Sequence, residues 1–191
     1  EKYRKFLNYY VDTLHAKYPN LEICVNWAFS DHMPEPVCAN VDFLSGDLDN
    51  QKGVYSSRYA GRALALQGKP WDLMSWGFRH NIYGTPITPP KHPLQLMQEA
   101  AAVIALGGAY QNNILQFGDG SHDVDRLVMD ASLEEFMRER RPYCHGGKII
   151  DQAVILIPSS DRYKEMNRPF TREGREKFYG LTSLLCDSGE S

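Results

Sequence analysis

Reading along the chain, carboxylates, imidazoles, amides and tryptophans collect at the C-terminal ends of short apolar runs. The first run delivers Asn26, Trp27, Asp31 and His32, and the second Ser45, Asp47 and Asp49. The third delivers Trp76, Arg79 and His80, and the fourth Gln111, Asn113, Gln116 and Asp119. These are the side chains a carbohydrate site needs. Sugar rings lay their C–H faces on aromatic planes, and their hydroxyls require several donors and acceptors. Glycosidic cleavage adds a demand for two carboxyl groups, about 5–5.5 Å apart for retention and about 6.5–9.5 Å for inversion.

Each of these residues also has a plain structural role open to it. Asp47, in Ser45-Gly46-Asp47, is placed to cap a turn, and Asp31 to stand solvated in a loop. Trp27 and Trp76 are equally placed to be core. Asp72 shares a strand face with Met74 and Trp76, so an inward-pointing face makes it a buried carboxylate in need of a partner. His122, Asp123 and Asp125 resemble metal ligands, but Asp123 is better explained as the cap of the helix after it. No metal and no cofactor is expected.

The elements that must position these residues alternate. Tyr3, Phe6, Leu7, Tyr10, Val11 and Leu14 form one face of a helix over residues 1–18, closed by Pro19-Asn20. Strands are expected at Leu21–Phe29, Val41–Ser45, Trp71–Trp76, Tyr110–Phe117 and Gln152–Ile157. Between them lie helices at 56–67, stopped by Gly68, at 94–106, stopped by Gly107-Gly108, and at 123–140, with a last one near 172–186. Pro86, Pro89, Pro90 and Pro93 mark an extended loop. Alternation with short links is the signature of βα units on a parallel sheet. The loop after the first strand, Ser30–Pro36, holds no glycine and cannot supply a dinucleotide-binding turn. Two architectures fit the alternation, a doubly wound open sheet and a segment of a (β/α)8 barrel; chemistry concentrated in the loops after the strands favours the barrel, whose sites lie on that rim.

Composition narrows the classes. The 191 residues carry 21 Lys+Arg against 24 Asp+Glu, a net charge of −3, which argues against a nucleic-acid binder. No run approaches the roughly 18 apolar residues of a membrane span. Cys24, Cys38, Cys144 and Cys186 form no CxxC pair and are expected as free thiols. The chain opens inside a helical pattern, so a piece of a longer protein is expected.

Four blocks resemble one family: Asn26-Trp27-Ala28-Phe29, Met33-Pro34-Glu35-Pro36, Val41-Asp42-Phe43-Leu44-Ser45-Gly46-Asp47, and Gly68-Lys69-Pro70-Trp71-Asp72-Leu73-Met74. They are similar to bacterial α-L-fucosidase-like glycoside hydrolases, relatives of β-galactosidases that join a barrel to a glutamine-amidotransferase-like trimerisation domain. The resemblance implies the C-terminal half of a barrel over residues 1–145 and the start of a second α/β domain over 146–191. It also favours a periplasmic or secreted setting and an oligo- or polysaccharide substrate, and the open sheet edges of a half-barrel predict a homo-oligomer. The acid/base of the β-galactosidases would lie upstream of Glu1, and their nucleophile position falls on Ser75, which cannot serve as a carboxylate.

The expectation is therefore an exo-acting α-L-fucosidase-like hydrolase with Asp47 as its carboxylate. Asn26, Trp27, Asp31, His32, Trp76, Arg79, His80 and Gln116 would bind the sugar, with no nucleic-acid or membrane partner. A non-catalytic carbohydrate-binding or assembly protein of the same fold is the rival.

Overall fold

The structure, a computed structural model, describes residues 1–25, 35–79, 89–165 and 176–190. Its elements run α1 (Lys2–Lys17), β1 (Leu44–Asp47), α2 (Gly53–Ala65), β2 (Trp71–Trp76), α3 (Pro93–Ile104), β3 (Ala109–Asn113), α4 (Val124–Cys144), α5 (Ser159–Glu165) and α6 (Glu176–Asp187). The three strands form one parallel sheet in the order β1-β2-β3.

This corrects the barrel. Among the described residues the sheet is open, with β2 central and β1 and β3 each hydrogen-bonded to one strand. Barrel and open parallel sheet are built from the same βα unit, so alternation along a sequence cannot separate them. Closure of a βα barrel takes about eight strands with a matching stagger, and three cannot close.

Two of the five expected strands are not strands among the described residues. Leu21–Val25 forms no ladder, although the Ile23 carbonyl accepts from the Asp42 N–H at 2.9 Å, just ahead of β1. The remainder of that expected strand, 26–29, lies outside the described residues. Gln152–Ile157 takes part in no ladder among the described residues, and Val154 and Leu156 are 85% and 84% exposed. A β-branched run reads as strand by propensity, yet a strand exists only where a neighbour completes its hydrogen bonds. The α5 helix lies where only a polar stretch is expected.

The core lies on one face of the sheet. Leu44, Trp71 and Leu73 pack there with Ala60 and Leu64 of α2, Val103 of α3 and Leu7 and Val11 of α1. The α4 helix packs on α3 through Leu133, beside Leu96 and Ala100. At the C-terminal end, α6 returns to α2, where Phe178 stacks on Tyr59 and Arg58 meets Asp187 at 2.7 Å. All four cysteines are free thiols.

Candidate functional site

Pleating sends alternate side chains to opposite faces of a strand. With α2 and α3 packed behind Leu44, Trp71 and Leu73, the other face carries Ser45 and Asp47 of β1, Asp72, Met74 and Trp76 of β2, and Gln111 and Asn113 of β3. Register aligns them in rows: Ser45 opposite Asp72, Asp47 opposite Met74 opposite Gln111, and Trp76 opposite Asn113. One face of this small sheet is thus apolar and helix-covered, and the other is polar.

Asp72 organises the polar face. Ser45 Oγ donates to its Oδ1 at 2.7 Å and Gln111 Nε2 to its Oδ2 at 2.8 Å, so one carboxylate ties together all three strands. It is 7% exposed. Burial pushes its carboxyl above the ordinary range, and the Ser45 and Gln111 donors pull it partly back. The Cys24 thiol, raised chiefly by burial and further by the charge of Asp72, belongs to the same neighbourhood. The buried carboxylate with partners that the strand pattern called for is present, and its partners are neutral donors rather than a cation.

Asp47 is the last residue of β1 and half-buried. Two residues along the strand and one strand across separate it from Asp72, which puts their Cα atoms about 8 Å apart. Beyond it, Asp49 does the capping that was one reading of Asp47. Its Oδ1 accepts from the Gln51 and Lys52 N–H groups, both at 2.9 Å, at the entry to α2. Trp76 ends β2, half-buried, with Phe78 edge-on to its ring at 5.8 Å between centroids.

Arg79 is exposed and turned toward α3, where its Nη2 donates to Gln95 Oε1 at 2.6 Å. Gln116 falls past the end of β3, in a tight loop bridged to His122 and closed by Phe117 N–H to the Ser121 carbonyl. The structure therefore brings Asp47 and Trp76 to one rim, holds Arg79 just past the end of β2 with its side chain turned toward α3, and places Gln116 in the loop beyond β3. Asn26, Trp27, Asp31, His32 and His80 lie outside the described residues. Asp123 caps α4, its Oδ1 accepting from Asp125 N–H at 3.0 Å, and among the described residues no His/Cys/Asp/Glu group is arranged to hold a metal.

A second polar cluster sits behind the sheet. Ser75 points away from the rim, into the helix-covered side, where Ser75, Lys91 and Glu99 are all enclosed. Lys91 Nζ lies 3.0 Å from both Glu99 oxygens and 3.2 Å from Ser75 Oγ, and Ser75 Oγ donates to Glu99 Oε2 at 2.5 Å. Burial pulls the Lys91 ammonium down, and the Glu99 carboxylate raises it again. A side chain held this way cannot present a nucleophile to a substrate on the polar face. Glu99 carried a sequence signal, because it falls on the stripe Leu96–Ala100–Val103 that α3 buries. Lys91, among prolines, carried none.

The chain matches no protein-family model, no curated protein and no solved structure.

Proposed function

We propose that the chain carries part of a carbohydrate site at the C-terminal rim of its parallel sheet, and that it acts there as a glycoside hydrolase of the α-L-fucosidase-like kind. The observation that carries this reading is that Asp47 and Trp76 end adjacent strands on the polar face. Ligands of open α/β sheets bind outside the carboxyl ends of the strands. An acid and an indole on one rim suit a sugar, with Asn113 next to Trp76 as a hydroxyl partner. The four sequence blocks supply the choice of a terminal fucose-like residue. Asp47 is the reacting carboxylate in this reading, and Asp72 stabilises the face behind it.

Hydrolysis of aryl α-L-fucosides and β-galactosides tests it, with Asp47→Asn alongside. General acid–base catalysis contributes about 10²–10⁴-fold, and a loss of that size is expected in the variant. Undiminished turnover removes Asp47 from the mechanism.

One observation favours the non-catalytic alternative. Both oxygens of Asp72 are engaged by Ser45 and Gln111, so Asp72 is not offered as the second carboxylate that glycosidic cleavage needs. Glycan binding without turnover of any aryl glycoside supports this second reading.

A further inference from the structure

Arg79 and Lys91 are backbone neighbours. Arg79 N–H donates to the Pro89 carbonyl and Lys91 N–H to the Gly77 carbonyl, both at 2.9 Å, and Phe78 pairs with Pro90 between them. This short antiparallel neck follows directly on Trp76. Its two cations diverge, since the Lys91 side chain runs inward to Glu99 while the Arg79 side chain stays at the surface.

One acid nevertheless reaches both. Gln95 Nε2 donates to Glu99 Oε1 at 3.1 Å, and Gln95 Oε1 accepts from Arg79 Nη2 at 2.6 Å. The sense of this relay is fixed by chemistry. A carboxylate only accepts and a guanidinium only donates, so the amide between them satisfies both in one orientation. Turned over, it would set its nitrogen against the guanidinium and its oxygen against the carboxylate. Glu99 is itself locked by Lys91 and Ser75, and its charge polarises the amide, strengthening the outer bond. The glutamine would otherwise be a flexible side chain on an exposed turn of α3.

We propose that Glu99 is a positioning residue for the rim: acting through Gln95, and clamped by Lys91 and Ser75, it holds the Arg79 guanidinium in a fixed direction beside the end of β2. That this direction serves a sugar rests on the carbohydrate reading above; the coupling of Glu99 to Arg79 does not. Arg79 is thereby anchored by a neutral partner, and its guanidinium keeps both its charge and further N–H donors for a ligand. Among the described residues no carboxylate forms an ion pair with it.

The test is the NMR order parameter of the Arg79 Nε–H group in the full chain, assigned by its disappearance in Arg79→Lys. The wild-type value is expected in the ordered range and that of Gln95→Ala below about 0.6, with the Trp71 indole signal unmoved. Glu99→Gln is expected to loosen Arg79 in the same way. Where that variant fails to fold, Lys91→Met/Glu99→Met replaces it, restoring an apolar interior while leaving Gln95 without its anchor. Continued disorder of Arg79 in the refolded double variant supports the relay. Recovery of Arg79 order there, or an Arg79 unmoved by Gln95→Ala, overturns it.

In a parallel arm, Gln95→Ala is expected to weaken binding of an aryl α-L-fucoside about fivefold, the worth of one hydrogen bond. A wild-type chain that binds no sugar but loses Arg79 order in Gln95→Ala sinks the carbohydrate reading and leaves the relay standing.

Discussion

Lys91 and Glu99 face each other at 3.0 Å with neither side chain exposed to solvent. Two charges are removed from water here, and they are tolerated because each completes the other and Ser75 and Gln95 supply the remaining hydrogen bonds. The pair joins the loop before α3, the second turn of α3 itself and the end of β2. Glu99 also fills the space above Gly53 at the start of α2, where an added Cβ would come within 2.2 Å of its Oε1.

Breaking this pair from one side strands a buried charge. Lys91→Met alone is expected to cost about 3–5 kcal/mol, and Glu99→Met a similar amount. The double variant Lys91→Met/Glu99→Met is expected to recover most of that loss, because two thioether side chains can fill the same volume without desolvating a charge. Urea denaturation of the three variants decides it. A double variant as unstable as the sum of the singles would show that the charges themselves hold the fold.

What could be read from the sequence divides along the range of the interactions. Gly68 and Gly107 end their helices at positive φ (+72° and +85°), and Asp123 caps α4, because these are contacts within a few residues. The β2 strand runs over the expected residues, and the alternation of Asp72, Met74 and Trp76 identified its polar face. Sheet closure was not legible, since it depends on how many strands assemble. Gln152–Ile157 failed for the same reason: it has the side chains of a strand, and no ladder forms on it among the described residues. Of the site, Asp47 and Trp76 at strand ends followed from counting along the chain. Arg79 turning to Gln95 did not, because that contact depends on the packing of α3.

Asp72 should make stability depend on pH in the direction opposite to a salt-bridged aspartate. Its folded carboxyl is raised by burial, so the folded chain holds the proton more tightly than the unfolded one. The favourable contribution is complete below the unfolded value of about 3.9 and is lost as pH rises through the folded value. Asp72→Asn removes the ionisation while Gln111 can turn its amide to keep a partner. The variant is expected to gain on wild type between pH 4 and 7 and to match it in acid. Thermal melts across that range check the sign; a variant that loses ground as pH rises would show that Ser45 and Gln111 outweigh burial.

Asp123 caps α4 through its bond to the Asp125 N–H. Asp123→Ala is expected to cost about 0.5–2 kcal/mol, and Asp123→Ser much less, because a hydroxyl can accept the same Asp125 N–H bond. The wild-type melting temperature should be unmoved by zinc at concentrations that leave the chain soluble. A zinc-dependent rise abolished by Asp123→Ser would return this residue to metal chemistry.

Two glycines separate backbone strain from packing. Gly68 ends α2 with φ +72° in open space, whereas Gly108 lies under the Trp71 indole, where an added Cβ would sit 2.3 Å from two ring carbons. Gly68→Ala therefore meets only the left-handed penalty, about 1–2 kcal/mol. Gly108→Ala must push aside a large ring that is itself buried against Gly61, because Trp71 also approaches an added Cβ there to 3.1 Å. Overpacking of this kind costs about 1–3 kcal/mol or more. The distinguishing measurement is the double variant Gly108→Ala/Trp71→Leu. Shortening the ring should make Gly108→Ala nearly neutral, while Gly68→Ala keeps its full cost beside Trp71→Leu. Equal additivity at both glycines would mean that the chain at Gly108 resists a side chain for backbone reasons, and that Trp71 is free to move.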